Sequence, residues 1–228
     1  MNKNKLLRIL SIVLILAGIV LLALPRINHY IIGNRADSNN AVAEEMASEK
    51  MQDNLNSDTS FDFDSIEEIN TSGTVLSPEY IDEDLIVGQL YIPSIDANLT
   101  VFNGVTNDIL HAGVGTMRPD LEMGEGNFPI AGHYAHDDSL LFGDLTSVEI
   151  GDDVYLTDNE TVYEYQVYDT RVVEPTEVHW IEQDIADEHG SPIISLMNCY
   201  YVDGQNTDDR YFVFGELVET HNISEIEL

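Results

Sequence analysis

Between Leu85 and Val218 the chain is built of short apolar runs, each stopped within a few residues by turn-forming ones. Ile86-Val-Gly-Gln-Leu-Tyr-Ile92 ends at Pro93, and Leu99-Thr-Val-Phe102 ends at Asn103-Gly104. Gly113-Val-Gly-Thr-Met117 and Phe128-Pro-Ile-Ala131 follow, separated by the acidic, glycine-bearing loop 120–127. Val154-Tyr-Leu156 and residues 162–173 are predicted to form a hairpin. In its second arm Tyr163, Tyr165 and Val167 alternate with Val162, Glu164 and Gln166, leaving one face aromatic-rich. Residues 192–199 and 211–218 complete the set, and Glu174–Ser191, with the only tryptophan, Trp180, reads as a polar loop. Helical spacing is confined to short stretches over 107–111 and 137–145. About eight short strands with almost no long helix predict an all-β domain, and periodicity leaves barrel and sandwich both open.

The N-terminus follows a different pattern. Lys3, Lys5 and Arg8 precede a run, Ile9 to Leu24, that is apolar apart from Ser11 and Gly18. Taken back to Leu6, with Arg8 snorkelling to the interface, the span 6–24 comes close to the ~20 residues a bilayer requires. No small-x-small cleavage pattern and no lipobox cysteine follows, so the run is expected to remain as a signal anchor. The basic residues before it place 1–5 inside and the rest outside. Residues 25–84 are dominated by Asn, Asp, Ser and Glu and are expected to form an acidic flexible stalk, with at most a loose, unpacked helix over 41–55. The domain proper is expected over 85–220, with a tail over 221–228.

The formal net charge is −33, and it is unevenly placed. Six of the nine Lys and Arg but only four of the 42 Asp and Glu lie in residues 1–50. The remainder carries three arginines against thirty-eight acids, a surface that repels nucleic acid and anionic headgroups.

Against that background two residues stand out. Cys199 is the only cysteine and closes the apolar run Ser191-Pro-Ile-Ile-Ser-Leu-Met-Asn-Cys199; Arg210 opens the last strand eleven residues on. A lone thiol cannot form an internal disulfide, and outside the cell it is an oxidation risk unless it has a use. A cysteine nucleophile needs a base, usually histidine, and a donor for the oxyanion that forms when it attacks a carbonyl. A guanidinium supplies permanent positive charge, which also favours a thiolate in so acidic a setting. Of seven histidines, His111, His133 and His136 lie near strand ends in the domain, and His133, after Ile130-Ala-Gly132, is the best placed. On these residues alone His133 reads as readily as a structural histidine, and Arg210 as an ion-pair partner of Asp208 or Asp209.

Taken together, these pieces resemble the sortases, the membrane-anchored cysteine transpeptidases of Gram-positive bacteria, and most closely their class A. The matching stretches are Ser195-Leu-Met-Asn-Cys199, Ile130-Ala-Gly-His133 and Arg210-Tyr-Phe-Val-Phe-Gly-Glu-Leu217, with further echoes in Gly113-Val-Gly-Thr-Met-Arg-Pro119, Met123-Gly-Glu-Gly-Asn127 and Leu141-Phe-Gly-Asp-Leu145. The resemblance covers roughly Leu85 to Glu219. It implies an eight-stranded β-barrel with short helices, preceded by the transmembrane helix. It implies that Cys199 attacks the Thr–Gly bond of a Leu-Pro-x-Thr-Gly sorting signal, that His133 is the acid/base, and that Arg210 holds the substrate backbone and oxyanion. An amine of a peptidoglycan precursor such as lipid II would then resolve the acyl-enzyme. Val178 and Ile181, and less directly Met117, are the expected groove residues, with Asn198 as a donor towards substrate. No cofactor is implied; a calcium ion in the acidic loop 120–127 is the alternative. The family pattern has Thr where Ser195 and Asn198 stand. These departures leave open a tethered β-domain with a degenerate site that only binds, beside a plain cysteine peptidase.

Overall fold

The structure is a computed structural model that describes residues 3–61, 63, 66, 81–135, 139–226 and 228. Among the described residues eight strands are formed: β1 (Ile86–Ile92), β2 (Ala97–Phe102), β3 (Val114–Thr116), β4 (Asn127–Gly132), β5 (Asp153–Thr157), β6 (Thr161–Val173), β7 (Ile193–Val202) and β8 (Gln205–Asn222). They close into a barrel in the order β1, β2, β3, β4, β7, β8, β6, β5, which decides between the two architectures left open by periodicity. Most neighbours are antiparallel, whereas β2–β3 and β4–β7 are parallel. A parallel pair needs a crossover, and the β4-to-β7 crossover contains the β5–β6 hairpin.

Alternation along the strands fills the barrel. Leu90, Leu156, Tyr165, Ile194, Leu196 and Val213 are wholly buried in one cluster, each such aliphatic side chain contributing about 1.5–3 kcal/mol by its removal from water. Tyr165 is accommodated because its hydroxyl accepts from the Gly124 amide at 3.2 Å, so its polar end is satisfied.

Three local expectations are corrected. The helical stretch expected over 137–145 is turns from Ser139, with a 3₁₀ turn at Leu145–Ser147; residues 137 and 138 lie outside the described residues. Leu141 adopts φ 52°, which ends any helix there, and Leu140, Leu141 and Leu145 instead pack as an apolar plug in the main core. The loop after β6 carries a 3₁₀ turn at Val178–Ile181 and a short helix at Asp184–His189, capped by Gly190 in the left-handed region. Six residues are too few to register as a helical period.

The third correction concerns the stalk. Helix α1 runs unbroken from Lys3 to Glu44, and α2 spans Ser48–Leu55. The apolar part of α1 is exposed and long enough to cross a membrane. Beyond it the helix does not become a flexible tether: Ile32, Asn39, Ala43 and Met51 are all buried against the barrel. Asn40 donates to the Asn98 carbonyl at 2.9 Å and accepts from Thr100 Oγ1 at 2.7 Å. Buried Asn54 in α2 donates to the Glu83 and Ile86 carbonyls at 2.8 and 2.7 Å, pinning the start of β1. From Leu24 to Ile32 is about 12 Å along a helix axis, so barrel contacts begin soon after the apolar run. Of the expected stalk, residues 62, 64, 65 and 67–80 lie outside the described residues.

Candidate active site

Register brings the three singled-out residues together. In the β7–β8 ladder Cys199 is paired directly with Arg210. In the parallel β4–β7 ladder Ala131 is paired with Met197, and His133 and Cys199 each lie two residues further along. Side chains at i and i+2 share a face, so the thiol and the imidazole leave the same end of the same side of the sheet. His133, Cys199 and Arg210 all line one cavity of about 600 Å³.

His133 is 4% exposed, and its Nε2 is buried without a hydrogen-bond partner. Its position follows from its neighbours: a Cβ on Gly132 would lie 2.5 Å from the Phe142 ring, so the glycine lets the 139–145 turn close over the end of β4. Burial, reinforced by the nearby His111, pushes the His133 pKa down to about 3, so the imidazole is neutral near pH 7. His111 packs edge-on at 5.1 Å between ring centroids. Its Nδ1 lies 2.6 Å from the Asn107 carbonyl, which can only accept, so this nitrogen carries the proton.

Cys199 is half-buried. Arg210 donates from Nη1 to the carbonyls of Asp208 and Asp209, at 2.6 and 3.1 Å. The flanking acids therefore hold the guanidinium through their backbone oxygens and leave it on the cavity wall beside the thiol.

Met117, Val178 and Ile181 line this cavity. Asn198 does not. It is wholly buried on the opposite face of β7, where its Nδ2 donates to the Phe142 carbonyl at 2.8 Å. The expectation that Asn198 meets substrate is corrected by strand alternation, which turns it into the barrel while Cys199 points out. The other departure, Ser195, shares the face of Cys199 but lies four residues, about 13 Å, back along β7, where it donates at 2.7 Å to Asn127 Oδ1. Sequence reading missed Phe61 and Phe63, which line the cavity from the N-terminal segment. Residue 61 reaches it by a parallel bridge to Val105, a pairing that no local pattern announces. His136, the remaining candidate histidine, lies outside the described residues.

The loop 120–127 contributes to no cluster of three ligand side chains among the described residues. The group that does form is Glu164, Glu219 and His221, with His221 Nε2 2.7 Å from Glu164. It lies nine residues along β8 from Arg210, about 30 Å at strand rise.

The chain is similar to known proteins over most of its length. A family model for the sortase domain matches residues 90–218. Sortase A of Listeria monocytogenes is 34% identical over 215 residues, 94% of this chain and 93% of that protein. Sortase A of Bacillus anthracis is 31% identical, covering 96% of this chain and 98% of its own. The solved structure of the Listeria monocytogenes enzyme superposes with a TM-score of 0.55 at 40% identity, over 60% of this chain and 90% of that one. A closed eight-stranded barrel and similarity running nearly end to end have one reading: the chain belongs to the sortase family and is a sortase transpeptidase.

Proposed function

We propose that the enzyme cleaves the Thr–Gly bond of Leu-Pro-x-Thr-Gly sorting signals on surface proteins and transfers the threonyl acyl group to a peptidoglycan-precursor amine. The observation that carries this reading is the cross-strand pairing of Cys199 with Arg210, with His133 closing the same cavity.

In the proposed cycle neutral His133 takes the proton of the Cys199 thiol as substrate fills the cavity. Sγ attacks the threonine carbonyl carbon, and the carbonyl electrons move to oxygen, where the Arg210 guanidinium stabilises the oxyanion. Collapse breaks the C–N bond, and the imidazolium returns its proton to the departing glycine amine, leaving a thioester on Cys199. An incoming amine attacks that thioester and gives its proton to His133, which passes it to the departing Sγ, leaving an amide, a regenerated thiol and a neutral imidazole. The apolar wall of Met117, Val178 and Ile181 suits the Leu and Pro side chains. Each step is assigned to a side chain, and none calls on a cofactor. Helix α1 is the proposed membrane anchor, with the N-terminus inside and the barrel on the outer face.

The test uses the full chain in detergent micelles with a Leu-Pro-Ala-Thr-Gly peptide and triglycine. The expected result is amine-dependent ligation that Cys199→Ala abolishes. Product release indifferent to amine would favour a peptidase, and no turnover with an unreactive thiol would favour a binding domain.

A further inference from the structure

The motif Met123-Gly-Glu-Gly-Asn127 has no part in the chemistry above, yet its last residue is among the most completely bonded side chains in the barrel. Asn127, the first residue of β4, is wholly buried. Its Nδ2 donates to the Trp180 carbonyl at 3.2 Å and the Glu182 carbonyl at 3.0 Å. Its Oδ1 accepts from Ser195 Oγ at 2.7 Å. Its backbone amide donates to Gln183 Oε1 at 3.4 Å, and its carbonyl accepts from Arg118 Nη2 at 2.9 Å. The same Arg118 nitrogen donates to Gln183 Oε1 at 2.9 Å, closing the ring of contacts.

The preceding glycine makes room for this. Gly126 sits at φ 56°, and a Cβ there would lie 2.2 Å from the Gln183 amide. Its carbonyl accepts from the Ile193 amide at 2.7 Å, so the turn ties to β7 as well. Gln183 can lie on the turn only because the side chain is missing.

The residues gripped by this clamp, Trp180, Glu182 and Gln183, follow or belong to the 3₁₀ turn that carries Val178 and Ile181 into the cavity. We infer that Asn127 is the positioning residue for substrate selection: backed by Ser195, Arg118 and Gln183, it sets the height of the Val178–Ile181 wall over Cys199. The inference rests on the reading that this wall receives the sorting signal. It also gives Ser195 its task, as the hydroxyl that orients the Asn127 amide, with the nitrogen left to face two carbonyls.

The experiment compares the full chain in detergent with Asn127→Asp, Ser195→Ala, Ser195→Thr and Gln183→Ala. It measures KM and kcat for Leu-Pro-Ala-Thr-Gly with triglycine, the iodoacetamide alkylation rate of Cys199, and hydrogen exchange over 178–187. Asn127→Asp loses both donors and sets a carboxylate against two carbonyls. Its KM should rise about tenfold, the effect of one or two unsatisfied buried groups, while kcat and alkylation stay within about twofold and exchange over 178–187 accelerates. Ser195→Ala should fall between, and Ser195→Thr should restore the wild-type KM. If Asn127→Asp does not fold, Gln183→Ala, at an exposed position, carries the test with a smaller rise in KM. An unchanged KM, or a fall in kcat alone, overturns the inference. If even the wild-type chain ignores the peptide, the substrate reading fails separately. Exchange and alkylation then decide: faster exchange at an unaltered alkylation rate supports the clamp, and equal exchange overturns it.

Discussion

The two faces of β7 divide the labour of the molecule. Ile194, Leu196 and Asn198 point into the barrel and are wholly buried. Met197 and Cys199, on the other face, are half-buried and line the cavity. One strand thus supplies both a rigid core ridge and a reactive edge, and the register of that ridge aims the thiol. A one-residue slip would exchange the faces and bury Cys199, so the packing of Leu196 is a condition of catalysis as well as of stability.

The comparison is tested most severely at its reactive end. Cys199→Ala should remove transpeptidation altogether while leaving the melting temperature nearly unchanged, because the side chain sits outside the core cluster. Measurable acyl transfer in that variant would take the chemistry away from β7. At the inner face the reverse pattern is expected. Leu196→Ala should cost about 2–5 kcal/mol in denaturant unfolding, and activity should fall only as folded protein is lost.

Arg210→Lys probes the cross-strand partner. It keeps the charge but replaces a planar fork by a point donor, and should lower kcat about a hundredfold, the loss typical of one oxyanion donor. Near-normal turnover would show that charge alone suffices.

His133, just past the end of the neighbouring parallel strand β4, ties the site to pH. Its folded pKa lies near 3, well below that of the unfolded chain, so between those values the unfolded state binds more protons. Stability contributed by its neutral form is therefore full above pH ~6.5 and is lost as pH falls towards 3. Between pH 7 and 5 this single group should cost about 2 kcal/mol. His133→Gln should flatten that part of the stability profile; an equally steep profile in the variant would assign the pH dependence elsewhere.

Much of this was legible in the chain. Alternation marks the strands, and the rarity of Cys199 and Arg210 marks the chemistry, because each property is local. What escaped notice depends on distant partners. Asn40 meets Asn98 and Thr100, which turns part of the expected stalk into a docked helix. Asn127 meets Ser195 and the 180–183 segment, more than fifty residues away. The faces of β7 were themselves readable by alternation. Asn198 was nevertheless expected at the substrate because it adjoins Cys199, although adjacent strand residues point apart.

Asn198→Thr gives the smallest effect and the finest test of the two-face picture. In the native chain Nδ2 gains the Phe142 carbonyl, but Oδ1 is buried without a partner. Threonine removes the stranded acceptor and shortens the donor. The two changes oppose each other, each on the scale of about 1–3 kcal/mol for a buried group. Their difference should leave stability within about 1 kcal/mol and kcat/KM within about threefold. With either residue the barrel end keeps one donor for the Phe142 carbonyl. A tenfold change in KM for the sorting peptide, with the melting temperature held, would put Asn198 back in contact with substrate and break the division between the faces.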